Sequence, residues 1–180
     1  LTSAEIASFF ILLAVAGNET TRNAISHGVL ALTRYPDQRR TWWADFEATT
    51  PSAVEEIVRW ASPVIYMRRT ATRDIELSGV EMAEGDKVTM WYASANRDED
   101  KFDNPWLFDV TRNPNHHFGF GGGGVHFCLG ANLARREISV VFEELHNRIP
   151  DIAVSAEPSM LLSSFIHGIK TLPVSWTPVT

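Results

Sequence analysis

The sequence predicts a mainly helical protein carrying small β-sheets. Two long helical patterns, from the first residues to Tyr35 and from Leu129 to Arg148, bracket the middle of the chain. Between them, residues 67–93 switch to two-residue alternation and residues 94–124 lose periodicity altogether. A period of 3.6 against a period of 2 is the main signal separating helix from strand. With 180 residues, 44% apolar and 21% charged, the composition is that of a globular domain, read here as one unit spanning 1–180.

Taken in order, Thr2-Ser3-Ala4-Glu5 has the form of a capping box, with Thr2 as N-cap and Glu5 reaching back to it. The helical pattern then runs until Pro36, because a proline turns the residue before it away from helical geometry. Its first half is apolar on most sides, which predicts burial. Ala16-Gly17-Asn18-Glu19-Thr20-Thr21 interrupts it with polar residues and a glycine, and such a break in a buried helix calls for an explanation. A short helix is expected from Asp37 to about Phe46. The next begins near Thr50-Pro51-Ser52, with Pro51 at the first helical position, and stops before Pro63. In residues 67–93, Gly79 and Glu84-Gly85-Asp86 supply turns between strands along which Val88, Met90 and Tyr92 alternate. Asn, Asp, Pro and Gly dominate 94–124, and so long an irregular stretch in a compact protein is commonly functional or disordered. The segment Ile169 to Trp176, around Pro173, predicts a terminal hairpin.

Several functional classes drop out. A net charge of −6 argues against a nucleic-acid partner, since phosphate binding needs a basic excess. The longest strongly apolar run, Ile6 to Ala16, is too short for a transmembrane segment, and no secretory signal pattern is present. The single cysteine excludes an internal disulfide framework and fits a reducing, cytoplasmic setting. The chain begins at Leu1 without Met and enters at once a helix that reads as buried, so the expectation is a portion of a larger protein.

The chemistry concentrates around Cys128, in Phe118-Gly119-Phe120-Gly121-Gly122-Gly123-Gly124-Val125-His126-Phe127-Cys128-Leu129-Gly130. Glycines let backbone wrap closely around a bulky group, and a cysteine just before a helix gains thiolate character from the helix N-terminus. Gly119-x-Gly121-x-x-Gly124 formally matches a dinucleotide fingerprint, but no apolar strand precedes it and no Lys-Ser/Thr follows, so nucleotide binding is rejected. A zinc site from His116, His117, His126 and Cys128 has the right donor number with unusually tight spacing. An inert buried cysteine is the commonplace alternative. Glu56-Ile57-Val58-Arg59 is, blandly, a surface ion pair at i,i+3 spacing. The mid-helix Thr20 is, blandly, a threonine bonding back to the preceding turn.

These segments together resemble the cytochrome P-450 superfamily. His126-x-Cys128-x-Gly130 is in register with its cysteine loop, Glu56-x-x-Arg59 with its Glu-x-x-Arg helix, and residues 16–21 with its oxygen-binding helix. Ser-Ala-Asn-Arg-Asp at 94–98 is a fourth match in the same order. The resemblance covers essentially the whole chain, about half of a full member, and implies the C-terminal part of that fold. Two departures stand out. One glycine is inserted, so Phe120 lies one residue further from Cys128 than usual, which bears on its family role beneath the haem. Leu107 stands where the family places an arginine that joins the Glu-x-x-Arg pair, leaving Arg112 or a nearby histidine to replace it. The runs 129–137 and 165–170 resemble the bacterial branch that hydroxylates methyl-branched lipids and sterol side chains.

The resemblance implies a monooxygenase holding haem b, with Cys128 as iron ligand. His126 and Arg69 would bind haem propionates, and Phe120, Gly130 and Ala16 would contact the macrocycle. Arg69 is otherwise an ordinary exposed strand arginine. Thr20 and Glu19 would bind dioxygen and relay protons. Val64, Ile65, Phe165 and Ile166 would face a lipophilic substrate, although as apolar residues they could equally be core. Electrons would come from a ferredoxin and its reductase, docking near Arg112 and Arg135, because no flavin or nicotinamide motif exists in the chain. The missing N-terminal half of the protein would complete the pocket. The rival of a different class is a non-catalytic haem- or metal-binding fragment.

Overall fold

The computed structural model describes residues 1–178. Helix α1 (Ser3–Arg34) opens on the capping box: the Glu5 amide donates to Thr2 Oγ1 at 3.3 Å and the Thr2 amide to Glu5 Oε2 at 2.7 Å. It ends before Pro36, which starts α2 (Pro36–Ala44). Helix α3 (Phe46–Ala61) begins a full turn earlier than expected, with Asp45 capping the Ala48 amide at 3.4 Å and Pro51 inside the helix. Pro51 removes one helical hydrogen bond there. Phe46, the first residue of the helix, stacks on Trp42 with ring centroids 5.6 Å apart. Ser62, at φ +39°, closes α3 before Pro63.

Strand β1 (Tyr66–Thr70) pairs antiparallel with β4 (Lys87–Trp91), and β2 (Ile75–Leu77) with β3 (Val80–Met82). Ser78 and Gly79, at φ +52° and +79°, make the β2–β3 turn, since two-residue hairpins favour positive φ. Tyr92 leaves the strand to start the short α4 (Tyr92–Ala95). An irregular segment leads to a 3-10 turn, Gly124–His126, and then to α5 (Ala131–Arg148). The expected terminal hairpin is replaced by two separate pairings. Strand β5 (Ala153–Val154) pairs with β8 (Val174–Ser175), and β6 (Ser159–Met160) with β7 (Ile169–Thr171). Pro173 fixes φ near −65° and cannot supply the positive φ of a tight two-residue turn.

The core lies among α2, α3, α5 and the second half of α1. Trp42, Ile57, Phe108, Ile138 and Phe142 are each at most 1% exposed, contributing about 1.5–3 kcal/mol apiece for the aliphatic and phenyl side chains. At Gly28 of α1 an added Cβ would lie 2.7 Å from Phe142 Cζ, so the glycine sets how closely α1 and α5 approach. The first half of α1 is not buried as its composition predicts: Phe10, Ile11 and Val15 are 62–72% exposed. Every buried residue of α1 lies at Thr21 or beyond, because the described elements of this chain pack only on that half. Among the described residues no helix is long and apolar enough to cross a membrane.

Candidate functional site

The cysteine loop is anchored at one end and open at the other. Gly119 lies against α3 so tightly that a Cβ would sit 2.5 Å from Val58 Cγ1 and 3.2 Å from the Val58 carbonyl, which excludes any other residue without movement. Gly121, Gly123 and Gly124 follow at φ +91°, +89° and +73°. Within the loop the Cys128 amide donates to the Phe120 carbonyl at 3.0 Å, and the Ala131 amide donates to the Cys128 carbonyl at 3.3 Å. Cys128 is exposed, and so are its neighbours Val125, Phe127 and Leu129. The Phe120 ring is partly buried and turned towards Arg135, whose guanidinium lies 4.5 Å from the ring centre.

Glu56 and Arg59 are both fully buried, so they are not a surface pair. Arg59 donates to Glu56 through Nε and Nη2, each at 2.7 Å, and to the carbonyls of Asn96, Pro105 and Leu107 at 2.7–3.0 Å. Arg112 supplies the third member. Its Nε lies 3.1 Å from Glu56 Oε2, and its other nitrogens donate to the carbonyls of Asp103, Asn104 and Leu107. Leu107 therefore takes part only through its backbone, which accepts from both arginines. Arg112 is turned inward, with 8% of its side chain exposed, which removes it as a docking contact.

On α1, Thr20 Oγ1 donates to the Ala16 carbonyl at 2.8 Å. Glu19 pairs with Arg22 at 2.6 Å, both about half-exposed, while Asn23 Nδ2 donates to the Glu19 carbonyl at 2.8 Å. Thr21 is 6% exposed and packs inward, so of the two threonines Thr20 faces the open side. The structure brings together the four apolar residues expected to face a substrate: the Ile65 amide donates to the Phe165 carbonyl at 2.9 Å, and Val64 bridges Ile166. Arg69 is exposed on β1, with its guanidinium bonded only to the Arg68 carbonyl among the described contacts, and His126 is exposed on the 3-10 turn.

Sequence reasoning missed the roles of four residues that hold this arrangement: Asn96, Asn23, Glu55 and His117. Asn96, fully buried, accepts the Phe118 amide at 2.6 Å through Oδ1 and donates to Ser62 Oγ at 2.9 Å, tying the loop to the end of α3. Asn23 Oδ1 accepts the Ile169 amide at 2.9 Å and fixes β7 to α1. Glu55 accepts from His117 Nε2 and Arg135 Nη2, each at 2.9 Å. Burial would raise the Glu55 carboxyl, but hydrogen bonds from His117 and Arg135 outweigh it and hold its pKa down to about 2. The only available signal was the doubled acid Glu55-Glu56 on one helix. Arg135, expected at a docking surface, has its guanidinium committed to Glu55 and Phe120.

The donor set discriminates between prosthetic groups. Both ring nitrogens of His117 are engaged, by Glu55 and by the Gly119 amide, and no group of three or more His, Cys, Asp or Glu among the described residues could hold a metal ion. The tetrahedral zinc arrangement is therefore not assembled. An outward thiol among exposed apolar side chains fits instead a flat apolar macrocycle whose iron takes a soft ligand. His126 and Arg69, exposed donors, suit its carboxylates.

Comparison with known proteins agrees. A family model described as Cytochrome P450 matches residues 48–147. A methyl-branched lipid omega-hydroxylase of Mycobacterium bovis is 72% identical over 177 residues, covering 98% of this chain and 41% of the relative. A steroid C26-monooxygenase of Rhodococcus jostii is 50% identical over 177 residues, covering 98% of this chain and 37% of the relative. A Mycobacterium marinum cytochrome P450 solved in complex with pseudoionone superposes with a TM-score of 0.95 at 51% identity, covering 97% of this chain and 42% of that one. The chain thus spans about two fifths of the length of these proteins.

Proposed function

The chain belongs to the cytochrome P450 family, and on that premise we propose that the protein it comes from is a haem-thiolate monooxygenase of lipophilic substrates, methyl-branched lipids or sterol side chains. The observation that carries the reading is Cys128, an outward thiol on a glycine-built loop anchored to the core. Cys128 would hold the iron of haem b through Sγ, His126 and Arg69 would bind the propionates, and Phe120, Gly130 and Ala16 would line the macrocycle. Bound haem supplies reductive activation of dioxygen and transfer of one oxygen atom to a C–H bond. A thiolate ligand favours O–O cleavage over simple oxygen binding. Electrons would come from a ferredoxin and its reductase; of the two cations expected at the docking face, Arg112 is turned inward and Arg135 is paired with Glu55.

The chain's own residues divide the remaining work. Glu19 is half-exposed and within reach of solvent, the side from which a proton would enter. Thr20 spends its hydroxyl proton on the Ala16 carbonyl, which leaves its oxygen to accept a hydrogen bond from a water carrying the proton inward. Val64, Ile65, Phe165 and Ile166, held side by side by backbone hydrogen bonds, form an apolar wall for a hydrocarbon substrate. The 72% identity to a methyl-branched lipid omega-hydroxylase supports the substrate class.

The test uses the full-length protein, reduced and treated with carbon monoxide. The expected result is the red-shifted Soret band of thiolate ligation, absent in Cys128→Ser. A Ser variant that keeps that band removes Cys128 as the ligand.

A further inference from the structure

We infer that Glu55 is the positioning residue for the Cys128 thiol, fastening both flanks of the cysteine to α3 through His117 and Arg135. This rests on the haem-thiolate reading above and deepens it.

The argument starts from α3, which carries two adjacent acids. Neighbouring helical residues point about 100° apart, so Glu55 and Glu56 serve different surroundings. Glu56 is consumed by Arg59 and Arg112 in the irregular segment. Glu55 faces the cysteine loop. Its Oε2 accepts from His117 Nε2 and from Arg135 Nη2, each at 2.9 Å, and its Oε1 accepts from Arg135 Nε.

The tautomer of His117 follows from its other contact. The Gly119 amide donates to His117 Nδ1 at 3.0 Å, so Nδ1 carries no proton and Nε2 must carry one. His117 is therefore a neutral strut, 3% exposed, that passes from a carboxylate on α3 to the backbone of the loop. Gly119 is also where the loop touches Val58 of the same helix. The second arm is Arg135, on the helix that follows Cys128. Its guanidinium lies over Phe120, and the Phe120 carbonyl accepts the Cys128 amide. One carboxylate thus fixes the strand of chain that enters Cys128 and the helix that leaves it. It is also the carboxylate that pairs with Arg135 among the described residues.

Two consequences are separable from general stability. Loss of the Glu55 charge leaves Arg135 unpaired, and an extra positive charge near the thiolate–iron unit favours the reduced iron. Loss of the strut frees the loop, so the thiolate is replaced more readily by a neutral ligand.

The experiment uses the haem-loaded full-length protein and three variants: Glu55→Gln, Glu55→Gln with Arg135→Gln, and His117→Gln. Expected for Glu55→Gln is a reduction potential shifted to more positive values, with a smaller fraction of the carbon monoxide complex at the thiolate band. The double variant, in which the charge is balanced again, is expected to return the potential towards wild type. His117→Gln keeps the Glu55–Arg135 pair, so it is expected to leave the potential unchanged and to speed decay of the thiolate band by roughly 10- to 100-fold, the range of one hydrogen bond to a charged group. A wild-type protein without the thiolate band defeats the haem-thiolate reading itself. A wild type with the band, and a Glu55→Gln variant matching it in potential and band, overturns the role of Glu55. If Glu55→Gln retains no haem, a decay rate in His117→Gln equal to wild type overturns it instead.

Discussion

Arg59 and Arg112 both bind Glu56, yet removing them is expected to cost very different amounts. In Arg59→Ala, Glu56 is left 0% exposed with a single cation, and the carbonyls of Asn96, Pro105 and Leu107 each lose a donor. Breaking a buried pair in this way destabilises by about 3–5 kcal/mol. In Arg112→Ala, Arg59 still engages both carboxylate oxygens at 2.7 Å, and the Asp109 amide and Asn115 continue to donate to them. What is lost is one charge-assisted bond and bonds to partly exposed carbonyls, about 1–3 kcal/mol. The assay is urea unfolding of the full-length protein, followed by tryptophan fluorescence and by haem release, with slopes compared so that midpoints report stability alone. Equal losses for the two variants, or a loss below about 1 kcal/mol for Arg59→Ala, would refute the buried-network account.

Three further outcomes are expected. His27, buried at 5% exposure, has its pKa held down to about 4, first by burial and then by the nearby His167, 4.2 Å away between ring centroids. The unfolded chain binds that proton near pH 6.5, so stability should fall by up to about 3 kcal/mol as pH drops from about 6.5 to 4 and then level off; His27→Asn flattens this window if the account holds, whereas Glu55, with its lowered pKa, contributes stability that is lost only from about pH 4.5 down to 2. Gly119→Ala, forcing a methyl against Val58, is expected to cost about 1–3 kcal/mol and to accelerate haem loss, measured by transfer to an acceptor protein. Thr20→Ala is expected to keep substrate binding while diverting electrons to peroxide, and Thr21→Ala to keep coupling but lose stability; an unchanged product-to-electron ratio in Thr20→Ala removes the proton role.

What the sequence disclosed depended on range. The capping box at Thr2, the stop at Pro36 and the turn at Gly79 are set by a few consecutive residues, and each formed as expected. Pro51 was misplaced because the helix starts earlier, where Asp45 caps the Ala48 amide and Phe46 stacks on Trp42. The tail split into two pairings because its strands bond to β5 and β6, segments too short to announce themselves. Arg112 could be named only as one candidate for the gap at Leu107, since nothing local says that it folds back 56 residues to Glu56. Nothing local joins Glu55 to His117, 62 residues away: the doubled acid Glu55-Glu56 hinted at the one, and the other was weighed only as a zinc donor.

The contacts also separate the two halves of the proposed site by what holds them. The thiol side rests on buried polar networks between distant segments, in which α3 alone contributes Glu55, Glu56 and Arg59. The Thr20 side rests on helix register: Thr21, Asn23 and Ala24 are buried and set the rotation of α1, and that rotation aims Thr20 and Glu19 outward. A long helix transmits rotation faithfully but makes few contacts to any one residue on its open face. Substitutions in α3 should therefore move spectra and potential while leaving coupling intact, and substitutions in α1 should do the reverse. A variant of Asn23 tests the boundary, because its side chain both bonds the Glu19 carbonyl and holds β7 through the Ile169 amide. Asn23→Ala is expected to lower coupling and loosen the apolar wall around Phe165 together, with no change in the thiolate band. A shifted band would show that the two halves are mechanically joined through the tail.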